Sequence, residues 1–286
     1  MLLLRRTVAA LRGGGYDVTL LAPAASGAAL LGAGAGDVPR LLDWERPDMA
    51  ALAAGDASLP EALRRELASH ALAVAFTRTR SLVEALRAVV PRVLERDPTP
   101  PPGTHAARWL AAVVEPLGLG ADRAPPRCAP SALEAPEARA WRERLPPRFL
   151  ALHPGSGSPR KNWPAERFLE LGERVRPREP WLVVSGPADR DAMRPFRSRP
   201  DALVAERVPV RVLGALLADA GTFVGNDSGV SHLAAAWGAP TVALFGPTDA
   251  AVWAPDGERV RTVQSSSGAM TGITVDEVAA AMAATV

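Results

Sequence analysis

The sequence is short of three residue types, with a single lysine, a single cysteine and two asparagines among 286 residues. One cysteine excludes an intramolecular disulfide and any metal site built on paired cysteines. No stretch of 18 apolar residues runs without interruption, so no transmembrane helix is predicted. The opening sequence MLLLRRTVAALR places apolar residues ahead of arginines, which is the reverse of a secretory signal peptide. Together these absences favour a soluble protein of the reducing cytoplasm.

The chain also lacks a large net charge. Its 33 Lys and Arg residues and 31 Asp and Glu residues give +2 at pH 7, and no run of basic residues stands out. A nucleic-acid partner is therefore not predicted. Hydrophobic residues make up 48% and charged residues 22%, which is the composition of a globular protein. The length suits two domains of about 100 to 200 residues each.

The first part of the chain alternates short apolar runs with helical stretches. Helices are expected near residues 60–70, 81–89 and 104–116, and strands at VTLLAP, VPRLLDW, ALAVAFT and PRVLE. This alternation predicts an α/β domain with a parallel sheet. The glycine triplet at 13–15 follows a helical stretch and precedes a strand, so we interpret it as a helix end rather than a phosphate-binding loop.

A segment rich in proline, alanine and arginine follows, from about residue 120 to residue 147. We interpret it as a linker between an N-terminal domain, residues 1–135, and a C-terminal domain, residues 148–286. In the second domain, helical segments alternate with six strand-like runs, RFLAL, WLVVSG, ALVAE, GTFVG, TVALFG and RVRTV. A second parallel α/β sheet is therefore predicted.

The single lysine, Lys161, lies in the polar sequence HPGSGSPRKNWP, residues 153–164. This sequence joins the strand RFLAL to a helix, and Pro164 suits the first turn of that helix, where an N–H is not needed. Glycines in such a turn let backbone N–H groups approach a phosphate, and Ser156, Ser158 and Lys161 add donors. The pattern indicates an anion-binding loop. The alternative is that Lys161 is a chance survivor in a loop that tolerates substitution.

A second polar turn lies in FVGNDSGVSHLAAAWGAPTVALFGPTD, residues 223–249, again between a strand and a helix. Asp227 or Ser228 can cap this helix, and Gly229 permits close approach to its exposed N–H groups. His232, one helical turn after Ser228, either reaches the same turn or is a core histidine. A second anion site is therefore predicted here.

The two asparagines, Asn162 and Asn226, fall one in each of these clusters. His70 and His105 lie in predicted helices of the first domain, and no neighbouring residues there suggest chemistry. We assign those two histidines no role.

Together the two clusters resemble glycosyltransferase family 9, the heptosyltransferases. The resemblance rests on HPGSGSPRKNWP, on GNDSGVSHLAAAWGAPTVALFGPT, and on the closing segments WAPDG at 253–257 and MTGITVDEV at 270–278. It covers the second domain nearly from end to end, whereas the first domain matches only in its pattern of strands and helices. The resemblance implies a GT-B architecture, in which two Rossmann-like lobes with parallel sheets face a cleft.

The resemblance also implies an inverting, metal-independent transfer of a heptose-like sugar. The donor would be a nucleoside-diphosphate sugar, with ADP-heptose favoured, and no further cofactor is implied. The acceptor would be a lipopolysaccharide core or a related glycan, which is compatible with peripheral contact with the inner membrane. Matching positions imply donor contacts for Ser156, Gly157, Lys161, Asp189, Asp227, Ser228, Gly229 and His232. Among these, Lys161 and Ser156 match the diphosphate contacts, and Asp189 matches a contact with the ribose hydroxyls.

The start of the chain departs from the family pattern. Members open with a strand and a loop that contains glycine and an aspartate, the implied catalytic base, whereas this chain opens on what resembles the next helix. The first lobe is therefore predicted to be truncated, without its first strand, and the base is unassigned. Asp37, in LGAGAGDV, superficially matches the missing loop. Its context argues against that role, because the preceding APAASGAA is typical of coil and the following VPRLLDW of a strand.

Two hypotheses about function stay open at this point. The first is a glycosyltransferase whose start lies upstream of Met1, or whose base is another residue. The second is a nucleotide-sugar-binding module of the same fold that lacks turnover. A nucleotide-sugar epimerase would share the architecture, but its motifs are not those of this sequence.

Overall fold

The computed structural model describes residues 1–55, 59–120, 127–128, 135–177 and 179–285. The chain divides into two compact units, one up to residue 126 and one from residue 127. Much of the predicted linker, residues 121–126 and 129–134, lies outside the described residues. The domain bounds 1–135 and 148–286 therefore stay a prediction.

The first unit contains four short strands and six helices among its described residues. Its strands are β1 (Thr19–Ala22), β2 (Arg40–Asp43), β3 (Ala73–Phe76) and β4 (Val93–Arg96). Its helices are α1 (Arg5–Gly13), α2 (Ala24–Gly27), α3 (Met49–Ala54), α4 (Glu61–Ala68), α5 (Arg80–Arg87) and α6 (Ala106–Ala111). Short 3-10 turns lie at Leu2–Leu4, Ala28–Leu30 and Ala112–Leu117. The predicted strands and helices of this region are confirmed to within a few residues.

The strands of the first unit form two separate parallel pairs, β1 with β2 and β3 with β4. The parallel pairing is as predicted, but a single sheet is not seen among the described residues. Each strand is only four residues long, so each pair makes few ladder hydrogen bonds. The main core of the unit is supplied largely by α3, α4 and α5, through Met49, Leu52, Leu63, Val83 and Leu86.

The glycine triplet ends α1, as predicted. The helix closes at Gly13, and Gly15 has a φ of 85°, in the left-handed region that glycine adopts without strain. β1 follows directly, so the triplet joins a helix to a strand. This order is the opposite of a phosphate-binding loop, which joins a strand to a helix.

The second unit contains six strands and seven helices among its described residues. Its strands are β5 (Leu150–His153), β6 (Trp181–Ser185), β7 (Ala202–Glu206), β8 (Thr222–Asn226), β9 (Thr241–Phe245) and β10 (Val260–Gln264). Its helices are α7 (Ala135–Arg142), α8 (Ala165–Val175), α9 (Arg194–Arg197), α10 (Val210–Ala218), α11 (Gly229–Ala236), α12 (Ala250–Trp253) and α13 (Val275–Ala283). Short 3-10 turns lie at Pro159–Lys161 and Met270–Gly272. All six predicted strands are confirmed. None of the helices described in either unit is long and apolar enough to cross a membrane.

All six strands of the second unit join one parallel sheet, in the order β10-β9-β8-β5-β6-β7. Residues in and next to β5 alternate between two cores, as expected of a strand buried on both faces. Phe149 and Ala151 pack with residues of α10 and α11, whereas Leu150 and Leu152 pack with residues of α8 and α13. Helices therefore cover both faces, and the predicted α/β fold is confirmed.

The strand order reverses beside β5. From β5 the chain winds outward through β6 and β7, then returns to the other side of β5 with β8 and continues to β9 and β10. Ligands of open α/β sheets bind at such a reversal, outside the carboxyl ends of the two strands that flank it. The loops that leave β5 and β8 at this edge are the two polar clusters of the sequence.

Helix α7 lies inside the segment that was predicted to be a linker. Ala138 of α7 is fully buried in the same core as Leu213 and Leu217 of α10, so the helix belongs to the second unit. Alanine and arginine favour a helix once one face of it has an apolar partner. The segment interpreted as a linker therefore includes a helix, at residues 135–142, that was not predicted.

Candidate functional site

Two loops leave adjacent strands at the reversal of the sheet. The β5–α8 loop begins after His153, and the β8–α11 turn begins after Asn226; His153 and Gly225 are partners in the strand register. α8 begins at Ala165, so Pro164 lies just before the helix, one residue earlier than predicted. Because both loops start at the same edge, side chains that are 66 to 75 residues apart in sequence lie close together.

Asn226 fixes the path of the β5–α8 loop. Its side chain is fully buried, and its amide nitrogen donates to the carbonyl oxygens of Pro154 and Gly155 at 2.8 and 3.2 Å. Its amide oxygen accepts a hydrogen bond from the backbone N–H of Trp163 at 2.9 Å. One side chain thus holds both the beginning and the end of the loop.

Ser156 and Asn162 hold the middle of the same loop. The Ser156 hydroxyl lies 2.6 Å from Asn162 Oδ1 and 2.7 Å from the carbonyl oxygen of Ser158. The Ser156 side chain therefore makes its hydrogen bonds to other residues of the same loop. Gly157 is exposed, and a Cβ at this position would meet no atom within 4 Å. The backbone is therefore accessible to a ligand at Gly157.

Lys161 and Asp227 form an ion pair between the two loops. Lys161 Nζ lies 3.1 Å from Asp227 Oδ2, and the two side chains are 24% and 12% exposed. Thr248 Oγ1 donates to the same carboxylate oxygen at 2.8 Å. An anion bound to Lys161 would therefore lie near the Asp227 carboxylate. This carboxylate can accept hydrogen bonds from hydroxyl groups of the same ligand.

Ser228 caps α11, which begins at Gly229. Its Oγ accepts a hydrogen bond from the backbone N–H of Ser231 at 3.4 Å. Of the two predicted caps, Ser228 is therefore the one observed, and Asp227 is not. Gly229 is exposed, with open space where a Cβ would lie, so the N–H groups at the helix start are accessible. His232 is half-buried in the first turns of α11.

His153 connects the two loops, and sequence reasoning did not single it out. It is 3% exposed, with Nδ1 3.0 Å from Ser228 Oγ and Nε2 3.0 Å from Asp189 Oδ2. The signal available in the sequence was a histidine at the end of an apolar strand, immediately before a glycine- and serine-rich loop. His70 and His105 belong to the first unit, far from this edge in sequence, and they stay without an assigned role.

Asp189 is a buried carboxylate that accepts its hydrogen bonds from other groups of the protein. It accepts the backbone N–H of Gly186 at 2.6 Å, and a Cβ on Gly155 would lie only 1.9 Å from it, so a side chain at 155 would displace it. Burial alone would raise the pKa of Asp189. The hydrogen bonds from His153 and from the N–H groups of Gly186 and Ser156 outweigh burial, so this pKa lies below its usual value. The carboxyl is therefore ionised at neutral pH.

Replacing Asp189 by asparagine is expected to remove an acid-sensitive part of the stability. A carboxyl with a lower pKa in the folded state adds stability above its unfolded pKa of about 3.9 and loses it as the pH falls through the folded value. Wild type should therefore be more stable than Asp189→Asn at pH 7, and the difference should shrink below about pH 4. Urea unfolding at a series of pH values measures this. Asp191→Asn, at an exposed position nearby, is the control; a pH-independent difference for Asp189→Asn would contradict the assignment.

Asp37 is buried in the first unit, where it is 1% exposed. Its backbone N–H donates to the carbonyl oxygen of Gly34 at 3.0 Å, and Arg12 donates to the carbonyl oxygen of Asp37 at 2.8 Å. The segment before this loop was expected to be coil, but it forms α2 and a 3-10 turn, because its alanines favour helix. The loop leads into β2 as predicted. A carboxyl buried in this way is poorly placed to accept a proton from a substrate, which adds to the sequence argument against it as a base.

The edge of the second sheet can bind an anion that also carries hydroxyl groups. The Lys161 ammonium and the N-terminus of α11 supply positive potential at adjacent turns. Asp227 supplies a carboxylate for hydroxyl groups. Over the described part of the chain, no three His, Cys, Asp or Glu side chains cluster closely enough to hold a metal ion.

A sequence model of one protein family, glycosyltransferase family 9 (heptosyltransferase), matches residues 63–278. This chain belongs to glycosyltransferase family 9. The match includes both loops of the site and extends into the first unit, beyond the motifs that carried the resemblance. The membership implied by those motifs is thus confirmed.

Curated relatives of this family 9 chain include two lipopolysaccharide heptosyltransferases. It is 36% identical over 109 residues to lipopolysaccharide heptosyltransferase 1 of Pseudomonas aeruginosa, a match covering 36% of this chain and 30% of the relative. It is 28% identical over 114 residues to lipopolysaccharide heptosyltransferase 3 of Escherichia coli, covering 37% and 34%. Each match spans about a third of the relative's length.

Solved structures share the fold at low sequence identity. A glycosyltransferase family 9 protein from Veillonella parvula has a TM-score of 0.80, with 99% of this chain and 92% of that chain covered. The ADP-heptose lipopolysaccharide heptosyltransferase II of Escherichia coli has a TM-score of 0.77, with 99% and 94% covered. Both are 16% identical to this chain, so they are evidence for the fold alone. The GT-B fold implied by the resemblance is confirmed.

Proposed function

We propose that this family 9 chain transfers a heptose-like sugar from a nucleoside-diphosphate sugar, with ADP-heptose favoured, to a lipopolysaccharide core or a related glycan. The names of the two curated relatives, both lipopolysaccharide heptosyltransferases, support this choice of acceptor class. The Escherichia coli structure of the same fold is named for ADP-heptose, and we carry that donor over only as part of this proposal.

One observation carries the proposal. The only lysine of the chain lies against the turn that opens α11, at the strand reversal where α/β sheets bind ligands. The ammonium and the helix N-terminus together suit the two phosphate groups of a diphosphate. Ser156, Gly157 and Lys161 are proposed to bind the diphosphate, and Asp227, Ser228, Gly229 and His232 the sugar with its adjoining phosphate.

The proposed contact of Asp189 with the ribose hydroxyls is limited by its burial. Its Oδ2 accepts hydrogen bonds from His153 and from the N–H of Gly186, the carboxylate also accepts the N–H of Ser156, and the side chain is only 4% exposed. The Asp189 carboxylate therefore stabilises the surrounding loops through these hydrogen bonds, and a contact with the ribose would be additional.

The proposed reaction is an inverting transfer without a metal. An acceptor hydroxyl attacks the anomeric carbon from the face opposite the leaving group, its proton passes to a general base, and the bond to the diphosphate oxygen breaks. Lys161 and the N–H groups of α11 stabilise the charge that develops on the leaving diphosphate. The identity of this base is left unassigned. A lipid-anchored acceptor would be met at the cytoplasmic face of the inner membrane, which makes the protein a cytoplasmic enzyme with peripheral membrane contact.

The test is transfer by the purified full chain, with ADP-heptose as donor and a heptose-free lipopolysaccharide core as acceptor. We expect ADP release and a product of inverted anomeric configuration, read from its proton NMR couplings, with the same rate in EDTA. ADP-heptose binding without transfer would favour the alternative, a nucleotide-sugar-binding module. Absence of binding would overturn both.

A further inference from the structure

His153 has a pair of contacts that donor binding alone does not require. Its ring links Asp189, in the loop after β6, to Ser228, the cap of α11, and both contacts are 3.0 Å long. The ring and Asp189 are buried, whereas Ser228 is only half-buried and lies at the accessible helix start. The hydrogen-bonded series Asp189–His153–Ser228 therefore leads from the interior to the proposed diphosphate site.

The protons of these three side chains can be assigned from their donors and acceptors. An ionised carboxylate only accepts, so Nε2 of His153 carries a hydrogen and donates to Asp189. In the neutral ring Nδ1 must then accept, and the available donor is the hydroxyl of Ser228. The Ser228 oxygen also accepts the N–H of Ser231 as the helix cap. In this state Ser228 directs its only proton inward and offers none to a ligand.

Protonation of His153 reverses the outer hydrogen bond. A proton from solvent binds Nδ1, which then donates to Ser228 Oγ, and the hydroxyl proton of Ser228 is released to donate to a phosphate oxygen. No covalent bond other than N–H changes, and one proton is taken up. The positive charge on the ring lies between the Asp189 carboxylate and the incoming diphosphate, so both anions favour it.

We infer that His153 is a positioning residue that takes up a proton when a diphosphate binds at the start of α11, and so turns Ser228 into a hydrogen-bond donor toward the phosphate. This inference rests on the proposed donor site and adds a proton linkage to it. Donor affinity then depends on pH through a buried side chain that does not itself touch the ligand.

Other charged groups near the ring come from each loop of this edge. Asp189 contacts the ring directly, from the loop after β6. Asp227 precedes Ser228 in the β8–α11 turn and is paired with Lys161 of the β5–α8 loop. His232, in α11, is the other histidine of the site. Any test must therefore separate His153 from His232.

The test measures proton uptake with ADP-glucose as the probe. Both of its phosphates are esterified, so the probe carries a fixed charge between about pH 5 and pH 8, where histidine titrates. Calorimetry of the full chain in buffers of different ionisation enthalpy counts the protons. We expect uptake to approach one proton per ADP-glucose, and affinity to rise by up to about tenfold for each unit of falling pH.

Two matched variants assign the proton. His153→Gln should bind ADP-glucose with no proton uptake and little pH dependence, whereas His232→Gln should keep the uptake even if its affinity is lower. A merely structural role for His153 would lower affinity equally at every pH and leave the uptake in place, and this result would overturn the inference. So would uptake that is lost in His232→Gln and kept in His153→Gln.

Nitrogen NMR of the wild type gives a readout that needs no variant to fold. The chain has four histidines, so the ring nitrogens are few enough to resolve. We expect the Nε2–H tautomer of His153 without ligand and a doubly protonated ring with ADP-glucose at the same pH. An unchanged ring on saturation would overturn the inference while leaving the proposed function intact. Failure of ADP-glucose and ADP-heptose to bind at any pH would overturn both.

Discussion

Replacing Asn226 by alanine will lower the free energy of unfolding of the second unit by about 3 kcal/mol or more. The substitution leaves three backbone groups without their partner, namely the carbonyl oxygens of Pro154 and Gly155 and the N–H of Trp163. Each unsatisfied buried group costs about 1 to 3 kcal/mol, partly relieved where water enters. Urea unfolding gives the total, and hydrogen exchange of the β5 and β8 amides locates the loss in the second unit.

The only other asparagine of the chain is a matched control for Asn226. Asn162 is half-buried, and its side chain oxygen accepts from a single hydroxyl, that of Ser156. Asn162→Ala should therefore cost less than about 1 kcal/mol. Asn226→Asp keeps the shape but loses both donors, so it should be as harmful as the alanine variant. A mild effect of Asn226→Asp would mean that Asn226 fills space rather than holds the loop.

Replacing Lys161 by alanine will weaken binding of a nucleoside-diphosphate sugar roughly 10- to 150-fold, which corresponds to about 1.5 to 3 kcal/mol for a hydrogen bond to a charged group. The loss has two physical sources. The ammonium no longer binds the diphosphate, and the Asp227 carboxylate, which Lys161 neutralises at 3.1 Å, then repels it. The fold should persist, because the pair lies at the rim of the sheet. Calorimetry with ADP-glucose and circular dichroism measure the two outcomes.

Two further variants separate those sources. Lys161→Arg keeps the charge but changes its geometry, and should recover only part of the affinity. Lys161→Ala with Asp227→Asn removes the repulsion, and should bind more tightly than Lys161→Ala if Asp227 makes no essential sugar contact. Unchanged affinity in Lys161→Ala would restore the explanation that this lysine is a chance survivor.

The scarcity of lysine offers an independent measurement. An amine-reactive ester can modify Lys161 and the chain's α-amino group, and no other amine, because the chain has no second lysine. ADP-glucose should protect Lys161 from the reagent and leave the α-amino group as reactive as before. Equal labelling with and without the probe would place Lys161 outside the site.

Local patterns of the sequence were sufficient to predict most elements. The six strands of the second unit lie between turn residues. The four inner strands, β5, β6, β8 and β9, are mainly apolar because they are buried along their whole length. The site loops were predictable for a related reason. Glycine, serine and aspartate between an apolar strand and a helix satisfy the exposed N–H groups of the helix, as Ser228 does for α11.

Contacts between distant parts of the chain could not be predicted in the same way. The ion pair of Lys161 with Asp227 and the contact of His153 with Ser228 depend on β5 lying beside β8, which no local pattern encodes. His153 was passed over because the end of a buried strand is typical of a core residue. The helices at 24–27 and 135–142 were not predicted, because alanine-rich stretches need a packing partner before they become helices.

The contacts that Asn226 makes with the β5–α8 loop involve main-chain atoms alone. Such contacts do not depend on which side chains the loop has between its two anchored ends. Residues 158–160, between Gly157 and Lys161, can therefore be exchanged in evolution, or randomised in a library, while the loop keeps its course. Preference for a new nucleotide or sugar can in this way be selected independently of the scaffold that presents it.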